Sequence, residues 1–186
     1  MNQFFDIKIF ITFCLKFILF FIFFYYGTFA IIGLTAKNGY YVEFIDHYLN
    51  YISILKISLL KGAGLIARIF GYDTILDSGD VIRVSNARGV RVALSCLGIG
   101  VMSFWAAFIL SNKLTKKLKS IWLIGGLLLL WFINVWRIGL FLVSVNKGWS
   151  MPLGIDHHTW FNLAAYSAIF IMIYFFEKHN KKIETQ

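Results

Sequence analysis

The sequence predicts an all-α integral membrane protein with about four transmembrane helices, an interfacial amphipathic helix on the outer side and a small β-hairpin. Of the 186 residues, 59% are hydrophobic and 15% are charged, and the mean hydropathy is +0.73. Soluble domains are usually about 45–50% apolar and about 25% charged. We expect one membrane domain, 1–186, with residues 35–92 as an outer cap. Four apolar runs reach or approach the roughly 20 residues that a crossing needs, and these are 9–34, 93–111, 121–145 and 158–176.

The basic residues predict the orientation of these spans. The formal net charge is +9, and many lysines lie between or beyond the apolar runs. Cytoplasmic loops carry an excess of Lys and Arg. The chain is therefore expected in an inner or plasma membrane, with both termini on the cytoplasmic side. The expected partner of the basic residues is the lipid bilayer, and no nucleic-acid partner is expected. The two cytoplasmic clusters are Lys113, Lys116, Lys117 and Lys119, and Lys178, Lys181 and Lys182.

The first apolar run, Ile9–Leu34, is expected to remain in the protein as a span. It lacks the compact basic leader and the small-residue cleavage site of a secretory signal peptide, and it is long. Lys16 would extend its ammonium group toward the inner face. Cys14 is expected to pack near that face and Cys96 near the opposite one, so they are too far apart for a disulfide.

The segment 46–72 is predicted to form an amphipathic helix in the outer membrane interface. Charged residues such as Lys61 and Arg68 interrupt it too often for a comfortable span, while Leu60 and Gly64 recur at helical spacing. A crossing here would also turn Cys96 toward the cytoplasm, against the lysine distribution.

A β-hairpin is predicted immediately before the second apolar run. Val81–Ser85 and Val90–Ala93 are rich in β-branched residues, and the loop Asn86–Gly89 between them contains a glycine. An isolated hairpin is only marginally stable, so we expect it to rest on the interfacial helix or on the bundle.

Cys96 is the first candidate for chemistry. It is expected in the first turn of a helix, where unpaired backbone N–H groups and the helix dipole favour the thiolate. Gly98 thins the helix surface nearby and would let a substrate backbone approach. A buried structural cysteine is the alternative.

Arg137 is the second candidate, because a charge within an apolar run is costly and usually functional. Asn134 lies one turn away on the same helical face. A guanidinium can polarise a carbonyl oxygen or hold a thiolate without losing its charge. The alternative is an arginine that extends to the interface and has a structural partner.

The third candidate is the pair His157 and His158 at the head of the last run. Histidine acts as base and then acid near neutral pH, and Asp156 or Asn162 could orient a ring. The alternative is a helix cap formed by Asp156, with interfacial histidines. No further outer ligands support a metal site, so neither a metal nor a cofactor is predicted.

At these residues the chain resembles the exosortase/archaeosortase family of membrane cysteine transpeptidases. The resemblance covers roughly Asp73–Tyr174 and consists of short motifs in order: Cys96-Leu97-Gly98, Asn134-Val135-Trp136-Arg137, and His158. Many members have Ser where Leu97 stands, and Gly where Asn162 stands.

The resemblance implies catalysis by Cys96, Arg137 and His158 on the outer face of the membrane. It implies cleavage of exported proteins that end in a sorting motif, a transmembrane helix and a basic tail. It also implies transfer of these proteins to a surface acceptor, such as a lipid or a polysaccharide.

Two other classes of function compete with this one. A membrane scaffold or assembly subunit of a secretion or polysaccharide system would use Arg137 and His158 as structural contacts, and Cys96→Ser would then be silent. A small transporter or channel would place Arg137 in a polar pathway. The single deep charge disfavours transport.

Overall fold

Helices make up most of the chain in the computed structural model. The structure describes residues 2–37, 39–77, 79–149, 154 and 157–184, and for 2–6, 157–158, 161 and 181–184 it describes the backbone alone. The helices in this part of the chain are α1 Asn2–Thr35, α2 Glu43–Leu49, α3 Tyr51–Ile69, α4 Ile99–Ser111, α5 Lys116–Lys147 and α6 His157–Glu184. The strands are β1 Thr74–Asp77, β2 Val81–Val84 and β3 Gly89–Arg91, and a 3-10 turn spans Leu94–Cys96.

The chain divides into two compact units. The first comprises Met1–Asn50, Ile99–Leu128 and Met172–Gln186, and the second comprises Tyr51–Gly98 and Leu129–Ile171. The helices α5 and α6 each contribute one part to each unit. The sequence-based expectation of one membrane domain made no such division.

In the first unit, aromatic side chains join α1 to α4. The ring of Phe13 meets that of Phe108 edge-on, with the centroids 6.1 Å apart, and Phe17 meets Phe104 in the same way at 5.3 Å. Edge-to-face geometry at these separations is favourable for aromatic pairs. Because the residue number rises along α1 as it falls along α4, the two helices run antiparallel.

The α4–α5 contact in the first unit is closer still. Trp105 is fully buried and its Nε1–H donates to the carbonyl oxygen of Trp122 at 3.0 Å. A methyl group added at Gly126 would overlap the Trp105 indole. The glycine at this position therefore allows the indole to lie directly against the α5 backbone.

In the second unit, α3 runs parallel to α5 along three successive turns. A hydrogen bond of 3.0 Å joins the first pair, and an added Cβ at either glycine of the other two would come within 3.0 Å of its partner. The contact advances four residues in each helix from one pair to the next, so the helices lie side by side in the same direction. The pairs are Ser58–Trp131, Gly62–Val135 and Ile66–Gly139.

This parallel packing differs from the expected position of α3. A helix in the membrane interface lies in the plane of the membrane, whereas α3 follows α5, a helix long enough to cross it. Small residues at helix contacts allow such close approach. Gly62 and Gly139 provide that close approach here.

The predicted hairpin is confirmed and belongs to a three-stranded antiparallel sheet in the order β1-β2-β3. Ile82 pairs with Val90 and both side chains are buried, whereas the adjacent Arg83 is exposed. A Cβ on Gly64 of α3 would meet the Thr74 hydroxyl oxygen at 2.8 Å. The sheet therefore rests on α3, as expected for a hairpin that is marginal alone.

Two of the described helices, α1 and α5, are long and apolar enough to cross a membrane. The most apolar window of α1 contains no buried residue, and that of α5 is 44% buried. An unburied apolar helix is not the core helix of a soluble domain, which supports membrane association. By contrast, α4 has only 13 residues and begins at Ile99 rather than at 93. These lengths indicate two candidate spans in the described part of the chain. The expected arrangement of about four spans stays a prediction.

Candidate active site

Cys96 lies in a tight turn between the sheet and α4. Its amide donates to the Ala93 carbonyl oxygen at 2.9 Å, and the Leu97 amide donates to that of Leu94 at 3.1 Å. Gly98 then takes a φ of +72°, which L residues with a side chain rarely adopt. The side chain of Cys96 is buried, with 8% of its surface exposed.

This geometry corrects the expectation that Cys96 lies in the first turn of a helix. The left-handed conformation of Gly98 ends the 3-10 turn, and α4 begins only at Ile99. Cys96 therefore does not lie in the first turn of α4, where the helix dipole would favour a thiolate. Gly98 is needed for the shape of the turn and is itself buried, so it does not offer the open surface that the sequence suggested.

Two side chains of α5 donate hydrogen bonds to the backbone of the Cys96 turn. Asn134 Nδ2 donates to the Cys96 carbonyl oxygen at 2.8 Å, and Arg137 donates a guanidinium N–H to the same oxygen at 3.2 Å. These residues are 38 and 41 positions from Cys96 in sequence. The structure thus brings together three of the residues selected from sequence, through the backbone of Cys96 rather than its thiol.

Asn134 is fully buried and has one unsatisfied atom. Its Oδ1 has no hydrogen-bond partner within the described residues. A buried acceptor without a donor costs roughly 1–3 kcal/mol. The other polar atom of this amide, Nδ2, shares the Cys96 carbonyl oxygen with Arg137.

A small cavity of about 120 Å³ opens beside Cys96. Arg137 and Phe141 of α5 form one wall. The chain from Val90 to Cys96 forms the other, including the exposed Ser95, which the sequence did not single out. The cavity gives a small group access to the surroundings of the thiol.

A second connection fixes the β2–β3 turn to the end of α5. Asn146 Oδ1 accepts from the Arg88 amide at 3.0 Å, and Asn146 Nδ2 donates to the Arg88 carbonyl oxygen at 3.1 Å. One side-chain amide therefore satisfies both backbone groups of Arg88. No sequence pattern indicates the role of Asn146, because its partner is 58 positions away.

The histidine part of the predicted site is only partly described. The backbone of His157 and His158 forms the start of α6, but their side chains and Asp156 lie outside the described residues. Asn162 is exposed on α6. The position of the two imidazoles relative to Cys96 therefore lies outside the described residues, and their role stays a prediction.

The chemical groups at this site are a thiol, a guanidinium and a buried amide. Both cysteines of the chain are free. Among the described side chains, no cluster of three or more His, Cys, Asp or Glu could hold a metal ion. The arrangement is suited to chemistry in which a thiolate and a fixed positive charge act on a carbonyl group.

Comparison of the chain with protein-family models, with curated proteins and with solved structures gives no match.

Proposed function

We propose that this chain is a membrane-embedded cysteine peptidase and transpeptidase of the exosortase type. It would cleave the C-terminal sorting tails of exported proteins at the outer face of the membrane and transfer the proteins to a lipid or polysaccharide acceptor. The observation that carries the proposal is the convergence of Asn134 and Arg137 on the Cys96 carbonyl oxygen, beside a cavity. A buried amide and a guanidinium within an apolar helix are costly, and such groups are usually retained for a function.

In the proposed reaction, the Cys96 thiolate attacks the scissile carbonyl carbon and forms a thioester, while the amine departs with a proton from His158. His158 then removes a proton from the acceptor, which attacks the thioester and restores the thiolate. Arg137 stabilises the negative oxygen of each tetrahedral intermediate. Asp156 or Asn162 orients the imidazole.

The proposal includes a membrane arrangement. The chain crosses four times with both termini in the cytoplasm, and the Cys96 turn lies at the outer boundary. The parallel contact with α5 favours α3 as a re-entrant helix beside that span rather than a helix in the membrane plane. A re-entrant segment leaves the number of crossings unchanged.

The direct test is the processing of a tagged exported protein that ends in a short motif, an apolar helix and a basic tail, taken from the same cell. Cys96→Ala should abolish the shift from precursor to product on a gel, because the nucleophilic thiol is gone. Cys14→Ala is the matched control and should process normally. Abundance and membrane insertion should be unchanged in both variants.

Arg137→Lys separates charge from geometry. Lysine keeps the positive charge but lacks the planar fork of donors, so processing should fall by about 100-fold, as for the loss of one oxyanion donor. Normal processing in Cys96→Ala would contradict the proposal as a whole. Normal processing in Arg137→Lys would contradict the role of Arg137 in stabilising the oxyanion.

A non-catalytic scaffold is the second candidate, and one observation favours it. The hydrogen bonds from Asn134 and Arg137 end on the backbone oxygen of Cys96. Such bonds would stabilise the turn whether or not the thiol reacts. A scaffold predicts that Cys96→Ser is silent, whereas Arg137→Ala lowers abundance or assembly.

A further inference from the structure

A second and larger cavity lies in the first unit and shares no lining residue with the cavity beside Cys96. It has a volume of about 640 Å³, within the range of small-molecule sites. One face of α1 forms one wall, through residues spaced as on a single helical face. The end of α4 and its link to α5, residues 111–115, form the other together with Leu118, and Asn180 of α6 completes the lining.

Both walls of this cavity combine apolar side chains with one lysine. Ile9, Phe10 and Phe13 supply apolar surface, and the ammonium groups of Lys16 and Lys113 supply charge. No carboxylate is among the described residues that line it. An amphipathic, basic cleft between helices complements an anionic lipid, whose phosphate needs cations and whose acyl chains need apolar surface.

Most other polar groups of the cleft already bond within their own helix or turn. Ser111 donates to Ala107, and Asn112 donates to Phe108, at 2.7 and 2.8 Å. Lys119 Nζ, just outside the cleft, donates to the Leu110 carbonyl oxygen at 2.8 Å near the end of α4. The lysines of the cleft are thus its strongest available donors.

One acceptor in the cleft is also unsatisfied. Asn180 Oδ1 is buried and has no hydrogen-bond partner in the described part of the chain. A buried acceptor in a cleft that two lysines also line fits a head group that carries a hydroxyl donor as well as a phosphate. Phosphatidylglycerol has both groups, whereas phosphatidic acid lacks the head-group hydroxyl and phosphatidylcholine lacks both the hydroxyl and the net charge.

We propose that this cleft is a binding site for an anionic phospholipid with a hydroxylated head group. The phosphate lies between Lys16 and Lys113, a head-group hydroxyl donates to Asn180, and an acyl chain follows the apolar face of α1. The site does not depend on peptidase activity.

The test measures binding of phosphatidylglycerol to the purified full-length protein by native mass spectrometry. Lys16→Gln with Lys113→Gln should weaken binding by at least about tenfold, since each lysine near an anionic membrane surface contributes on the order of fivefold. The matched control is Lys116→Gln with Lys117→Gln. These exposed lysines begin α5, carry the same charge and do not line the cleft.

Three results would overturn the proposal. Equal losses in both double variants would show diffuse attraction to the membrane rather than a site. Displacement of the lipid by millimolar glycerol phosphate would show a site for soluble phosphates. Equal binding of phosphatidic acid and phosphatidylglycerol, unchanged by Asn180→Leu, would show that no head-group hydroxyl donates to Asn180.

Discussion

The helix α1 and the later part of α5, residues 129–147, are both strongly apolar, yet they make different kinds of contact. In α1, phenylalanine rings such as Phe13, Phe17 and Phe21 stack on each other along the same helix. The hydroxyl groups of its threonines donate to carbonyl oxygens of the same helix, as Thr12 does to Lys8. Apart from its aromatic contact with α4, its most apolar window is unburied.

The later part of α5 instead uses polar side chains to bind other segments. Trp131 reaches Ser58 of α3, Asn134 reaches the Cys96 turn, and Asn146 reaches Arg88. Both helices are predictable from hydropathy, but only the polar interruptions of α5 indicate where the chain folds back on itself. In an apolar helix, side chains that cannot face lipid cheaply mark the tertiary contacts.

The largest difference is expected from adding one methyl group to each helix. Gly139→Ala in α5 would place Cβ 2.6 Å from Ile66 Cβ and 3.1 Å from the Ala63 carbonyl oxygen. Such overpacking should lower the free energy of unfolding by about 3 kcal/mol. Gly27→Ala in α1 meets nothing within 4 Å and should be neutral or stabilising by about 0.5–1 kcal/mol.

Thermal unfolding in detergent measures both changes. Gly125→Ala, also open, is a control within α5. Equal stability of Gly139→Ala and Gly27→Ala would contradict the close α3–α5 packing.

A smaller difference is expected from removing one polar group from each helix. Asn134→Leu removes one of the two side-chain donors to the buried Cys96 carbonyl oxygen and leaves Arg137. Loss of the buried hydrogen bond should cost about 2 kcal/mol. Thr12→Val removes only an exposed bond within α1 and should change stability by less than about 0.5 kcal/mol. Chemical denaturation compares the two, and a silent Asn134→Leu would show that this contact does not support the turn.

The smallest effect should be local. Asn146→Ala removes both bonds to Arg88 and should cost about 1 kcal/mol. Because the sheet remains paired, the loss should appear as faster amide hydrogen exchange at Arg88 and its neighbours, with the exchange of α5 unchanged. Asn112→Ala, which loses a bond within its own helix segment, is the control. Uniformly faster exchange would indicate that the Asn146–Arg88 hydrogen bonds stabilise the whole unit rather than only the β2–β3 turn.

The sequence predicts local elements better than their contacts. The hairpin was predictable from β-branched residues and a glycine loop, whereas β1 has mostly exposed side chains and is ordered by pairing with β2. The start of α4 was misplaced, because the left-handed Gly98 has no periodic signature. The α3–α5 register depends on Gly62 and Gly139, whose role is visible only once the two helices meet.

For the candidate site, residue types and spacing selected Cys96, Asn134 and Arg137, and the fold brings them together. What the sequence could not give was the atom at which they meet. Donors and acceptors far apart in the chain can pair in several ways, and only tertiary structure selects the Cys96 carbonyl oxygen over its thiol.

The most direct test of the account is the labelling of Cys96 in intact cells with a small membrane-impermeant thiol reagent, in a Cys14→Ser background. We expect labelling from outside the cell, with a pH dependence that shifts when Arg137→Ala or His158→Ala is introduced. Labelling only after the cytoplasmic face is opened would contradict the proposed topology and the mechanism with it. Outside labelling with a pH dependence unchanged by either variant would contradict a shared catalytic site and favour the scaffold.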